Sequence, residues 1–80
     1  MLINEAARKI KELPGRNVIV ECLDFNDFWA FLALENENEN NVAGAYDTVS
    51  KQTGEIGVFN PIEDFEKFLK STSISVEQFN

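Results

Sequence analysis

Apolar and polar residues alternate with a helical period at the start of the chain. Six apolar residues share this spacing, with charged residues between them: Leu2, Ile3, Ala6, Ala7, Ile10 and Leu13. The pattern predicts an amphipathic helix over residues 1–13. Pro14 and Gly15 end it, because proline disfavours helical geometry in the residue that precedes it.

The middle of the chain changes to strand patterns. Four segments rich in β-branched or aromatic residues predict strands at residues 18–23, 28–34, 44–50 and 55–59. Residues 28–34 are apolar on both alternating faces, so their periodicity is also compatible with a helix, but the aromatic content and the neighbouring strands favour a strand. The acid and amide run at residues 35–41 predicts a mobile hairpin loop.

Residues 46–63 combine a hairpin with the start of a second helix. Val49 and Ile56 flank a four-residue connection ending in Gly54, whose positive φ lets a type I turn close on a bulge. Asn60 and Pro61 then supply an N-cap and the first helical residue, which predicts a helix over residues 61–70. Four apolar residues of this helix are expected to face the sheet: Ile62, Phe65, Phe68 and Leu69.

Residues 71–80 predict a short turn of helix or a strap that carries Ile74, Val76 and Phe79 against the body. The element order is α-β-β-β-β-α. We therefore expect a single α+β domain over residues 1–80, in which a four-stranded antiparallel meander has both helices packed on one face.

Charge narrows the possible partners. The chain has 14 acidic and seven basic residues, a net charge of −7, and residues 17–50 contain no base. Such a surface disfavours direct binding to nucleic acid or an anionic membrane and attracts a basic protein. Acidity that serves solubility alone is the alternative. A lone cysteine, no signal-peptide pattern and no membrane-length apolar run predict a cytoplasmic protein.

Candidate chemistry is sparse. The chain has no histidine, which removes Ser/His/Asp and Cys/His mechanisms, and we expect no enzymatic activity. Asp24 and Asp27 flank a turn and are interpreted as turn formers, and Cys22 as an inert core thiol. The run at residues 35–41 lacks the glycine and closing glutamate of a calcium loop, so we expect no metal or cofactor.

Residues 46–61 resemble the C-terminal hairpin and helix of small immunity proteins from bacterial polymorphic-toxin systems. The residues that carry this resemblance are Val49, Lys51, Thr53, Gly54, Glu55, Ile56, Phe59 and Pro61. Residues 6–10 are also similar to the start of such proteins. The resemblance implies a non-enzymatic inhibitor that neutralises a toxin by binding it. No binding residues transfer, because the matching positions are structural.

We therefore predict a partner-binding surface in the acidic half of the chain, with Trp29 or Tyr46 as an aromatic anchor. The candidate residues are Glu21, Asp24, Asp27, Trp29, Glu35, Glu37, Glu39, Tyr46 and Asp47. The apolar row of Trp29, Phe31 and Ala33 is either covered by the C-terminal tail or forms a binding face. The alternative function is a small structural or ligand-binding module that acts as a homodimer through its two-faced sheet, with no basic partner.

Overall fold

The computed structural model describes residues 1–36 and 45–80. Over these residues the chain forms two α-helices, five strands and one 3-10 helix. In chain order they are α1 (Ile3–Lys11), β1 (Val18–Asp24), β2 (Phe28–Leu34), β3 (Tyr46–Ser50), β4 (Ile56–Phe59), α2 (Phe65–Leu69), β5 (Thr72–Ile74) and the 3-10 helix (Glu77–Phe79). The predicted α+β class, with an N-terminal helix and an antiparallel sheet, is confirmed. No helix within this part of the chain has the length and apolar character needed to cross a membrane.

The sheet has the strand order β4-β3-β2-β1-β5, and every neighbouring pair is antiparallel. The first four strands form the predicted meander, but the count of four is wrong because β5 adds a fifth strand beside β1, with Ile74 opposite Cys22. Three residues are too few to show a strand period in the sequence. They pair because β1 would otherwise be an open edge with unpaired backbone groups.

The first core lies between α1 and one face of the sheet. Its buried members come from the helix, the central strands and the tail: Ala6, Ala7, Ile10, Ile19, Cys22, Phe31, Val49 and Phe79. The Phe79 ring meets Phe31 edge-on, with ring centroids 5.7 Å apart. Ile74 and Val76 also pack here, so the predicted strap is confirmed, and α1 and the tail together cover the row of β2 that begins at Trp29.

The second core lies on the opposite face of the sheet. Its buried members are Leu23, Phe25, Ala30, Tyr46 and Phe59, and Phe68 of α2 packs against them. The two helices therefore cover opposite faces, and the prediction that both pack on one face is wrong. The physical reason lies in β2: its side chains are apolar on both sides, so each side needs its own cover.

The hairpin between β3 and β4 closes as predicted. Gly54 has φ +75°, its N–H donates to Ser50 O, and Ser50 N–H donates to Glu55 O, each at 2.9 Å. Gly54 is thus an extra residue opposite Ser50, which is a bulge with glycine in the left-handed region. β4 is one of the two outer strands of the sheet, and β5 is the other.

The second helix is shorter than predicted. Asn60 Oδ1 accepts from Ile62 N–H at 2.9 Å, and residues 61–64 form turns instead of helix. The helix begins at Phe65, after Asp64, whose carboxylate accepts from Lys67 N–H at 3.3 Å. Asn60 and Asp64 thus both accept from backbone N–H groups through their side chains, and the helix begins after Asp64.

Candidate binding surface

The side chains Ile62, Phe65 and Leu69 form an apolar stripe on the outside of α2 and the turn before it, called the α2 stripe below. They are 81%, 57% and 65% exposed. Phe65 and Leu69 are four residues apart, so they share one side of the helix. Phe68 points to the other side, with its ring centroid 6.4 Å from that of Tyr46. Three exposed apolar side chains within eight residues mark a candidate interaction site.

Carboxylates border the α2 stripe. Glu63, Asp64 and Glu66 alternate with its apolar residues in the sequence, and all three are exposed. Lys67 turns away from it, with its ammonium 4.9 Å from the centre of the Phe28 ring, where it is attracted to the ring face. The stripe is therefore an apolar surface with a mainly acidic border.

A second exposed apolar pair lies on β4. Ile56 is 44% and Val58 is 74% exposed. Ile56 is opposite Val49, a first-core residue, so this pair faces the α1 side of the sheet, away from α2. This pair is thus separate from the α2 stripe, because α2 packs on the opposite face of the sheet.

Two of the predicted binding acids are held in ion pairs. The carboxylate of Asp47 lies 3.0 Å from Arg16 Nε, and this hydrogen bond, together with the charge of Asp47, raises the pKa of the arginine. Asp24 lies 2.6 Å from Lys51 Nζ. Both bases come from outside the base-free segment, at its two ends, so part of its negative charge is neutralised within the molecule.

The same lysine restricts the predicted tryptophan anchor. Lys51 Nζ is 5.3 Å from the centre of the Trp29 ring, and Trp29 is half-buried against the first core. Trp29 thus presents only part of its ring at the surface, beneath an ammonium group.

The predicted tyrosine anchor is buried. Tyr46 is 5% exposed, and its hydroxyl donates to Glu21 Oε2 at 2.8 Å. The bond spans the sheet over Leu32, since Glu21 pairs with Leu32 on the neighbouring strand. Burial raises the pKa of the phenol above its ordinary value, and the hydrogen bond to the Glu21 carboxylate and its negative charge raise the pKa further. Tyr46 is therefore a core residue, and it uses Glu21 as its partner.

The remaining predicted acids lie apart from these. Asp27 is exposed at the turn between β1 and β2, and Glu35 is exposed at the other end of that hairpin, where its carbonyl accepts from Asn17 Nδ2 at 3.0 Å. Glu37 and Glu39 lie outside the described residues. The described candidates are thus spread over both sheet faces and both ends of the hairpin, and the structure does not bring them into one cluster.

Sequence reasoning did not select the α2 stripe as a site. The helical spacing of Ile62, Phe65 and Leu69 predicts that they face the sheet, and this prediction is wrong: all three are mostly exposed, and only Phe68 packs on the second core. The sequence does contain an indication of this exposure. Glu63, Asp64 and Glu66 alternate with the apolar residues, so only a narrow face of the helix can be buried.

Two chemical features of the described residues bear on the candidate site: the arrangement of possible metal ligands and the state of the thiol. No three His, Cys, Asp or Glu side chains among the described residues are placed to hold a metal ion. Cys22 is fully buried, and burial, with a further contribution from Asp24, raises the pKa of its thiol to about 12. Cys22 is therefore a packing residue.

Comparison of the chain with protein-family models, with curated proteins and with solved structures finds no match. The interpretation of function is therefore based on the exposed surface, the charge distribution and the two cores.

Proposed function

We propose that the chain is a non-enzymatic protein-binding module that neutralises a basic partner, a toxin or effector domain, by occluding its functional surface. The observation that carries this proposal is the α2 stripe, a set of exposed apolar side chains bordered by Glu63, Asp64 and Glu66. An apolar centre with a polar rim is the usual anatomy of a protein–protein interface.

The α2 stripe offers a substantial driving force for binding. Full burial of one large apolar side chain contributes about 1.5–3 kcal/mol, and these three are more than half exposed before binding. Phe65 lies between the other two in the sequence, and an aromatic residue near the centre of a contact often dominates its energy. We therefore assign Phe65 as the anchor of the interface.

The acidic half of the chain supports a positively charged partner. A net charge of −7 attracts a cationic domain over about one Debye length, roughly 10 Å at 0.1 M salt. Asp27, Glu35, Glu37 and Glu39 serve in this proposal as steering charges. The charges of Asp24 and Asp47 are partly neutralised by their ion pairs with Lys51 and Arg16.

The resemblance of residues 46–61 to immunity proteins supports the same proposal, since such proteins act by binding a toxin without chemistry of their own. We place the action of this chain in the cytoplasm, without direct contact with nucleic acid or membrane, in keeping with its lone buried thiol and its acidity.

The test is binding to a basic domain encoded beside this gene, measured by calorimetry with the purified chain. We expect binding that weakens when salt rises from about 50 mM to about 300 mM. The double variant F65S/L69S is expected to lose at least roughly a hundredfold in affinity, which corresponds to two buried apolar contacts. V58S removes an equally exposed apolar side chain elsewhere and serves as the matched control, with wild-type affinity expected.

Wild-type affinity in F65S/L69S would refute the assignment of the α2 stripe. The acidic border is tested separately by E63Q/E66Q, which leaves the capping residue Asp64 in place. This variant should associate more slowly with the same basic domain and show a weaker salt dependence. An unchanged association rate would exclude these acids from steering.

A second candidate function is a small structural or ligand-binding module that acts as a homodimer with no basic partner. The supporting observation is β4, which is an outer strand of the sheet and exposes Ile56 and Val58. Such an edge can pair with a second copy. Sedimentation of the purified chain distinguishes the two: a dimer that V58K dissociates favours this candidate, and a monomer excludes it.

A further inference from the structure

A cleft of about 360 Å³ lies between α1 and the 3-10 helix of the tail, on the same side of the sheet as the first core. Its lining combines an apolar floor with a polar rim. The floor is formed by Ala7 and Phe79, and the rim by Asn4, Arg8, Lys11 and Gln78. Small-molecule sites in proteins begin at about this volume.

The two walls of the cleft are fixed to each other and to the sheet. Lys11 Nζ donates to Phe79 O at 2.5 Å, which ties α1 to the 3-10 helix. The Phe79 ring packs on Phe31, and the side chain of Asn80 is hydrogen-bonded to the backbone of Ile19. The rim groups therefore sit on supported backbone, so little ordering is needed when a ligand binds.

Arg8 supplies unused donors at the rim. Within residues 1–36 and 45–80 its guanidinium forms no ion pair, although Glu5 and Glu12 lie three and four residues away on the same helix. Lys11 adds a second positive charge beside it. Gln78 donates to Ser75 O at 3.0 Å through one amide hydrogen, which leaves its second N–H available.

The N-terminal segment that forms one wall of the cleft is positive even though the whole chain is acidic. Residues 1–16 carry four bases and two acids, and the acid-rich segment begins after them. Charges beyond a Debye length, about 10 Å at 0.1 M salt, are largely screened. An anion in the cleft is therefore governed by the charges nearest to it, Arg8 and Lys11 on α1 and the opposing Glu77 on the 3-10 helix, more than by the net charge.

We propose that this cleft binds a small carboxylate with an apolar body. The planar guanidinium of Arg8 matches a carboxylate with two parallel hydrogen bonds, and Lys11 contributes a second charge. Asn4 and Gln78 provide neutral donors, while Ala7 and Phe79 receive the apolar part. The site is separate from the α2 stripe and does not depend on the proposed function.

The test is titration of the ¹⁵N-labelled full chain with benzoate, followed by NMR, with sodium chloride at matched ionic strength as the reference. We expect saturable shifts of the Asn4 and Gln78 side-chain amides and of the Phe79 backbone. R8Q removes the guanidinium at an exposed position and is expected to weaken binding at least roughly tenfold, as the loss of a charge-assisted hydrogen bond predicts. R8K keeps the charge but not the paired donors and should fall between the two.

K70Q removes an exposed lysine from the C-terminal end of α2 and is the matched control, with wild-type binding expected. Shifts that do not saturate, or equal affinity in wild type and R8Q, would overturn the site. Inorganic phosphate that binds as tightly as benzoate at the same residues would overturn the ligand class, because the apolar floor would then contribute nothing.

Discussion

The side-chain amide of Asn80 is hydrogen-bonded to both backbone polar groups of Ile19. Its Oδ1 accepts from Ile19 N–H at 3.2 Å, and its Nδ2 donates to Ile19 O at 2.8 Å. The pairing of β5 with β1 reaches only from Cys22 to Asp24, and β1 has an irregular register between Ile19 and Glu21. The amide therefore takes the place of a strand residue where β5 does not extend.

We expect N80A to lower the free energy of unfolding by about 1–2 kcal/mol, because both backbone groups of Ile19 lose their partner. Urea denaturation of the full-length variants measures the change. S75A is the control, since its exposed hydroxyl lies on the same tail away from this contact. Equal stability of N80A and wild type would mean that water replaces the amide without loss.

Two glycines at positive φ offer a matched comparison. Gly15 and Gly54 have φ of 78° and 75°, but a Cβ at Gly15 meets nothing within 4 Å, whereas a Cβ at Gly54 lies 2.6 Å from Met1 Cε. G15A should cost about 1–2 kcal/mol through backbone strain alone. G54A should cost slightly more, because the end of the flexible Met1 side chain and the Lys9 ammonium, which the new Cβ would meet at 3.0 Å, must also shift. Thermal unfolding of the two variants under one condition gives the difference, and equal losses would show that Met1 moves freely.

Exposure of the α2 stripe has its own consequence for stability. F65A and L69A should change the free energy of unfolding by less than about 0.5 kcal/mol, as surface substitutions do. F68A should cost about 2–3 kcal/mol, because this half-buried ring contacts the second core. Chemical denaturation of the three variants compares them directly. A loss in F65A as large as in F68A would place Phe65 in the core.

Alkaline pH should destabilise the fold through Tyr46. The folded-state pKa of the phenol is raised above the unfolded value of about 10, so its contribution is fully present below about pH 10 and is lost as pH rises toward the folded pKa. The thiol of Cys22 acts with the same sign from about pH 9, which makes C22A the appropriate background. Between about pH 9.5 and 11.5, C22A should lose stability more steeply than C22A/Y46F. Identical pH profiles of urea unfolding would contradict this.

Buried thiols react slowly, so the reaction rate of Cys22 measures how often the fold opens around it. Because its side chain is fully buried and its pKa is about 12, a thiol reagent at neutral pH should modify it only when the fold opens. S73C introduces a second thiol at an exposed position and should show one fast and one slow reaction. Two fast reactions would mean that β1 opens readily.

Local features were predictable from the sequence because local rules determine them. The bulge at Gly54 follows from turn chemistry, and the first helix follows from its apolar spacing and from Pro14. The C-terminal strap was also predictable, since Ile74, Val76 and Phe79 had no other apolar surface to join. The bulge and the first helix depend on residues close together in the chain, whereas the strap was indicated by its own three apolar residues.

Features that depend on distant residues were not predictable. Pairing of β5 requires the open edge of β1, and Asn80 reaches Ile19 across 61 positions of sequence. Placement of α2 on the second face depends on which row of β2 is already covered. The spacing of Ile62, Phe65 and Leu69 predicts a shared side of a helix but not whether that side is buried, so the candidate site was placed in the acidic half instead.

The position of β1 between β2 and β5 has a consequence for synthesis on the ribosome. One edge of β1 is completed only by Thr72–Ile74, and the first core lacks Phe79 until residues 72–79 have been made. A nascent chain that has released the hairpins but not the tail therefore exposes Phe31 and an unpaired strand edge. Such an intermediate is prone to aggregation until Thr72–Ile74 pair with β1 and Phe79 joins the first core.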